Sequence, residues 1–365
     1  LGAFVASQGA RAARADGVYG VKAELGVEHD SNPARTETIP DAETPTIVPS
    51  PAGRFVLGGN AAWRLGRRWS AVLSARGASR TFVRGEARQD DVLIAQGSGA
   101  LSVAVGPAVI TGSFGYYDAF QRRQPAARDF RTLSPGTRLD VPVGDGTLSV
   151  GGGYRWFTFK PAGALDFHGP SGLVSYRHTF WGQSEDEDDA ADWDLFISAG
   201  IEQRQFASDR CLKPDDCPPL EGTGARQDTF STAGFEVART GAFLTGIGGA
   251  VHHNVSNSYG DSLLRLALHL KAGVALPWEL MLSGRAELLV TRYAESLPLG
   301  RGPVAGLPLL SVEDESRSTL RVELARLLGP RWDLVARYVL FADAFGGGPD
   351  YLRQTFLLSV EFSYD

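Results

Sequence analysis

The sequence predicts an all-β fold: a single transmembrane, antiparallel, up-and-down β-barrel of about sixteen strands, with fourteen to eighteen compatible with the pattern. Three observations predict it. Apolar and polar residues alternate with period two in long runs that continue to the C-terminus. The connections between those runs alternate, in chain order, between long and short. Tryptophans gather beside the short ones.

The elements follow in order. The chain opens on LGAFVASQGARAARA, with no initiator Met, and Ala13-Arg14-Ala15 fits a small-x-small cleavage site. Residues 1–15 read as the tail of a secretory signal, Asp16 as the first mature residue, and 16–365 as a single barrel domain; an ordinary N-terminal segment is the alternative. In the first strand Tyr19, Val21, Ala23, Leu25 and Val27 oppose Lys22, Glu24 and Glu28. In the second, Phe55, Leu57, Gly59, Ala61, Trp63 and Leu65 oppose Asn60 and Arg64. Further strands are expected at 69–80, 91–105, 107–119, 129–142, 146–160, 171–181, 192–206, 227–240 and 242–256. Runs 91–105 and 242–256 are rich in Gly and Ala, which leaves their phase ambiguous.

The clearest run is 263–276. Leu264, Leu266, Leu268, Leu270, Ala272, Val274 and Leu276 share one face, while Arg265, His269 and Lys271 share the other. A helix would scatter those charges around a cylinder. After the turn Pro277-Trp278, Leu280, Leu282, Gly284, Ala286, Leu288 and Val290 face out, with Glu279, Ser283, Arg285 and Glu287 facing in. Three more strands repeat the arrangement. Leu320, Val322 and Leu324 oppose Arg321 and Glu323; Trp332, Leu334, Ala336, Tyr338 and Leu340 oppose Asp333 and Arg337; Phe356, Leu358, Val360, Phe362 and Tyr364 oppose Thr355, Ser359 and Glu361.

Long connections fall near 30–53, 81–90, 120–128, 161–170, 207–226, 257–261, 294–315 and 346–350. Short ones are Gly66-Arg67-Arg68, Gly106-Pro107, Val143-Gly144-Asp145, Thr240-Gly241, Pro277-Trp278 and Gly329-Pro330. The acidic stretch Gly182–Ala191 breaks the rule. Membrane barrels carry long loops at one end and short turns at the other, and an even strand count returns both termini to the short-turn end. A soluble β-sandwich, the competing arrangement, does not sort its connections by parity, and its strands are nearer 5–6 residues. Trp63 and Trp69 flank one short turn, Trp278 and Trp332 each follow another, and Trp181 and Trp193 bracket the acidic one. Such rings suit the lipid–water interface, because one end is apolar and the other can hydrogen-bond.

Composition sets limits. Net charge is −6, so there is no basic footprint for nucleic acid. No run of about 18 apolar residues occurs, which excludes a helical membrane span but not a barrel. Cys211 and Cys217 form a close pair; a disulfide clip within one loop is expected, with metal binding the weaker alternative because no histidine lies near. No cofactor is implied.

With this phase the interior wall carries Arg265, Lys271, Glu279, Arg285, Glu287, Arg321, Glu323, Asp333 and Arg337. Charges of both signs suit a wet channel that selects solutes, and equally a lattice of paired side chains that closes the interior. The sequence leaves both open. His252-His253-Asn254 with Ser256, and His29-Asp30 with Asp343, raise the idea of a barrel hydrolase. Consecutive strand residues point to opposite faces, so His252 and His253 cannot serve one site. Ser184-Glu185-Asp186-Glu187-Asp188-Asp189 lacks the Gly and alternating ligands of a Ca²⁺ loop; it reads as a solvated turn or a patch for a basic periplasmic partner.

The stretch Thr355–Asp365 resembles the closing strand of bacterial outer-membrane proteins, which the barrel-assembly machinery recognises; Phe362 and Tyr364 match, and Asp365 stands where a terminal aromatic is usual. Gly26-Val27-Glu28-His29-Asp30-Ser31-Asn32-Pro33-Ala34-Arg35 is similar to the first strand and loop of barrel porins, some of them linked to exopolysaccharide export. The resemblance implies residence in the outer membrane with periplasmic termini. It also implies lipid and the assembly machinery as partners, and leaves a homo-oligomer open. The expected function is a pore for small hydrophilic solutes. A structural barrel in an envelope-spanning machine, for polysaccharide export or surface motility, is the alternative.

Overall fold

In the computed structural model, residues 17–33, 47–121, 129–160, 163–181, 192–213, 215, 217, 219–241, 243–295, 317–342 and 351–364 are described. The acidic stretch 184–189, the segment 1–15, Asp343, Asp365 and most of 294–315 lie outside them.

Sixteen strands form: β1 (Val18–Asp30), β2 (Ser50–Leu65), β3 (Trp69–Phe82), β4 (Val92–Val105), β5 (Ala108–Gln121), β6 (Phe130–Val143), β7 (Gly146–Phe159), β8 (Phe167–Trp181), β9 (Asp192–Asp209), β10 (Ala225–Thr240), β11 (Phe243–Ser256), β12 (Leu263–Leu276), β13 (Leu280–Tyr293), β14 (Ser318–Gly329), β15 (Trp332–Ala342) and β16 (Leu352–Tyr364). Each pairs antiparallel with the next, and β16 returns to β1, so the barrel closes. Closure leaves no row of unpaired backbone groups for lipid to meet.

Register fixes the two faces. In β16, Arg353, Thr355, Leu357, Ser359 and Glu361 are buried, while Leu352, Phe356, Leu358 and Val360 alternate with them and are exposed. The inward set of β1 is Glu24, Glu28 and Asp30, which stand opposite Glu361, Leu357 and Thr355. Followed strand by strand, the same register settles the phase of the Gly-rich runs. In β4, Ile94, Gln96 and Ser98 share the inward face with Ala78, Arg76 and Ser74 of β3. In β11, His252 shares it with Arg265 of β12. The outer face presents large apolar side chains all round, Leu25, Leu57, Leu268 and Phe356 among them. That surface is costly in water and matched to lipid.

Several strands outrun their alternating segments at the long-loop end. β2 begins at Ser50, β8 at Phe167 rather than 171, and β9 continues to Asp209. Beyond the lipid band both faces meet water, so the alternation fades while ladder hydrogen bonds continue. At the other end, Gly106 and Gly144 take φ of 59° in their tight turns, a conformation glycine adopts without a Cβ penalty. The turn from β12 to β13 is built differently. Trp278 and Glu279 take φ of 65° and 59°, so Glu279 belongs to the turn. This corrects its expected place on the inner wall: the left-handed pair inserts a residue and ends the alternation before β13 starts at Leu280. The described strands start and finish at this end, Val18 beside Ala62 and Tyr364 beside Val21.

Candidate functional site

The inner wall divides into two halves. One runs over β14–β16 and β1–β3 and carries an ion network. Arg54 Nε donates to Glu24 Oε1 at 2.6 Å, and its Nη1 lies 3.5 Å from Glu28. Arg80 reaches Glu28 at 2.9 Å and Asp30 at 3.5 Å. Arg337 sits among Glu323 at 2.6 Å, Glu361 at 3.4 Å and Glu24 at 3.8 Å. Lys22 meets Glu361 at 2.5 Å. Arg353 and Asp30 complete it at the long-loop end, 2.8 Å apart. The network thus crosses the seam between the last strand and the first.

The structure distributes the expected inner-wall charges unevenly. Arg285 and Arg321 stand directly opposite each other in register. Each meets a carboxylate two residues along its own strand, Glu287 at 3.2 Å and Glu323 at 2.6 Å. Those contacts offset a like-charge pairing that destabilises a ladder. Lys271 reaches Glu236 at 2.7 Å on β10, passing over β11. His269 meets the same carboxylate at 3.1 Å. Gly248 makes room: a Cβ there would stand 2.3 Å from His269 Nε2. Glu236 and Gly248 were not legible as partners, since the pair skips a strand. Asp333 stands opposite Glu361 in register.

The other half, over β7–β13, holds a recess of about 560 Å³ bordered by Arg155, Glu202, Arg204, Phe230, His252 and Arg265. Glu202 lies 3.6 Å from Arg155 and 3.3 Å from Arg204. Arg204 lies over the Phe230 ring at 4.6 Å, and Phe230 stacks on His252 at 5.7 Å between centroids. Arg265 donates to Thr291 Oγ1 at 3.1 Å. Toward the long loops the inward face turns apolar: Phe130, Phe157, Phe159 and Phe167 are buried together, with Phe130–Phe157 and Phe157–Phe167 stacked at 5.6 and 4.9 Å. Sequence reasoning missed this aromatic cluster. Its signal was the alternation of Phe157 and Phe159 on β7, a strand whose glycines leave its inward face unmarked by periodicity.

His252 faces the recess, whereas His253 shares the outward face with Ser231 and is exposed. His29 and Asp30 also part, His29 lying outward beside Phe356 and Asp30 inward. Cys211 and Cys217 form a disulfide in the loop after β9. In the connection between β11 and β12, burial pushes the Asp261 carboxyl above the usual carboxylate range. Arg226 pulls it down from 2.9 Å, and Asp228 and Glu295 push it up. Among the described residues no group of three or more His, Cys, Asp or Glu side chains could hold a metal.

Of the expected aromatic ring, Trp69, Trp193 and Trp332 are half exposed on the outer face, and Trp278 is 80 % exposed in its turn. Trp63 donates Nε1–H to the Tyr19 hydroxyl at 2.9 Å. Trp181 ends β8.

No protein-family model matches the sequence, and no curated protein does. Solved structures are similar to it in shape. OmpF of Salmonella typhi, in complex with daunomycin, aligns with a TM-score of 0.50 and 10% identity, over 95% of this chain and 97% of that one. OccK1 (OpdK) of Pseudomonas aeruginosa aligns with a TM-score of 0.46 and 10% identity, over 95% and 99%. At such identity the likeness to OmpF is one of fold: the chain has the architecture of an outer-membrane barrel porin.

Proposed function

We propose that this barrel lies in a bacterial outer membrane and is a passive pore for small hydrophilic solutes. The observation that carries this reading is the inner wall: ionised groups on both halves face the inside of a closed sixteen-stranded sheet, around a recess of about 560 Å³. A barrel of about this strand number is wide enough to leave an aqueous channel. The apolar outer face and the tryptophans at its short-turn end support the membrane location. The Ala13-Arg14-Ala15 pattern supports reading residues 1–15 as an export signal, and the short-turn end, where β1 begins and β16 finishes, is then the periplasmic one. The closing strand is then the segment that the assembly machinery engages.

The three arginines of the recess stand against Glu202 and Glu287, which favours anionic over cationic solutes of similar size. Toward the long loops the inward side chains are buried aromatics packed on one another rather than polar groups facing an open lumen. That observation favours, as second reading, a scaffold barrel in an envelope machine, which conducts little and holds periplasmic partners. Liposome swelling separates the two. Vesicles containing the folded barrel should swell in isotonic small sugars and amino acids, more slowly as solute size grows. Vesicles that hold their volume in every solute, with the barrel shown folded, contradict the pore.

A further inference from the structure

The outer face carries one arrangement that lipid tails do not explain. Asp118 of β5 and Arg131 of β6 stand opposite each other in register, on the same face as the exposed Phe114 and Leu139. Arg131 donates to Asp118 Oδ2 from Nε at 3.0 Å and Nη2 at 2.9 Å. Lys160, just past β7, donates from Nζ to Oδ1 at 2.5 Å and to the Ala119 carbonyl at 3.4 Å. The Tyr116 hydroxyl donates to Oδ2 at 2.9 Å. Asp118 is thereby buried at 7 % side-chain exposure, while Arg131 keeps 51 % and Lys160 31 %. Asp118 fixes two cations on the outside of the barrel, and the Asp129 carboxyl interacts with Lys160 and Asp118 as well. Both carboxyls are buried, so the charge the cluster exposes is that of Arg131 and Lys160.

Height supplies the second observation. The row directly below, two residues nearer the membrane, reads Tyr116, Leu133, Trp156 and His168 across β5 to β8. Tyr and Trp with polar tips mark the membrane interface. Trp156 stands ten residues beyond Gly146, where β7 leaves its short turn; at about 3.3 Å per residue and a tilt near 40°, that is about 25 Å, the height of the apolar band. Arg131 and Lys160 therefore stand just above the apolar band, level with lipid headgroups.

We propose that Arg131 and Lys160 form a docking site for the phosphate of an outer-leaflet lipid, with Asp118 orienting both cations. Charge-assisted, fork-shaped hydrogen bonding suits a guanidinium to phosphate oxygens, and an ammonium adds a point charge. The site rests on the membrane location proposed above and is independent of conduction.

The test uses the folded full chain in detergent, titrated with diphosphoryl lipid A and followed by native mass spectrometry. Fold is checked separately by the heat-modifiable band on gels, which also separates failure of the barrel reading from failure of this one. Wild type should hold lipid A at least about tenfold more tightly than its dephosphorylated form, and R131Q/K160Q should lose that preference. R131K/K160R should retain most of it. If the double variant does not fold, R131Q and K160Q singly should each lower the preference. Equal binding of phosphorylated and dephosphorylated lipid, or a folded glutamine variant that binds like wild type, overturns the proposal. So does inorganic phosphate that competes as well as the lipid does, which would make the site one for free phosphate.

Discussion

Asp30 and Arg353 lie 323 residues apart in sequence and form a bidentate ion pair that bridges the first strand and the last. Arg353 Nε lies 3.1 and 3.2 Å from the two Asp30 oxygens and Nη2 lies 2.8 Å from Oδ2, with both side chains essentially inaccessible. Asp30 also accepts the Asn32 backbone N–H at 3.0 Å. The barrel's one junction without a covalent hairpin is held at its outer end by these two residues.

Breaking that pair should loosen closure. Asp30→Asn or Arg353→Met removes one side of a buried ion pair, a loss of up to about 3–5 kcal/mol, smaller for Arg353→Met because Arg80 still stands 3.5 Å from Asp30. The double variant should lose clearly less than the sum of the singles. Urea unfolding from vesicles, read by the heat-modifiable band, measures this; strictly additive losses would show that the two do not act as a unit.

Gly248 should tolerate no side chain. In Gly248→Ala the new Cβ meets His269 Nε2 at 2.3 Å and the Phe235 carbonyl at 2.6 Å, so the His269–Glu236 contact must give way. A cost of about 1–3 kcal/mol is expected. Gly246→Ala is the control, because its nearest neighbour would be the Val237 carbonyl at 3.5 Å. Equal effects of the two substitutions on unfolding would refute the steric account.

Glu279→Gly should stabilise the barrel by about 1 kcal/mol, since a non-glycine residue in the left-handed region is strained. The gain should appear as a shifted urea midpoint with unchanged slope. A loss instead would mean that the Glu279 side chain contributes more than its backbone costs.

Asp261 should make its loop sensitive to pH. Its carboxyl titrates above the usual range when folded, so the folded loop binds a proton over a window where the unfolded chain has released it. Local stability is therefore greatest below the ordinary carboxylate pKa and falls as pH rises through the raised one. Hydrogen exchange at 257–262, corrected for intrinsic rates, should show protection declining across that window, and Asp261→Asn should flatten the decline.

The fold was legible because it rests on local rules. Alternation in 263–276 and the parity of connections require only the chain's own order, and the register agrees with both. Glu279 misled because its place depends on the φ of a turn, which periodicity does not carry. The pairs that skip a strand, such as Lys271 with Glu236, or that cross the seam, such as Arg353 with Asp30, depend on which strands curve together. The Phe130–Phe157–Phe167 cluster stayed hidden for the same reason: aromatics read alike on an outer face that meets lipid and an inner face that packs on itself.

Removing positive charge from the recess should change selectivity without closing the pore. Arg155→Ala with Arg265→Ala should lower the anion-to-cation permeability ratio on the order of twofold, seen as a shifted zero-current potential in a KCl gradient. An unmoved potential would place the selective step elsewhere in the lumen.

The most direct measurement is single-channel recording of the refolded barrel in a planar bilayer. An aqueous path along the inner wall predicts discrete, uniform conductance steps that grow with bulk KCl concentration. A folded, inserted barrel that stays electrically silent across salt and voltage would contradict the account.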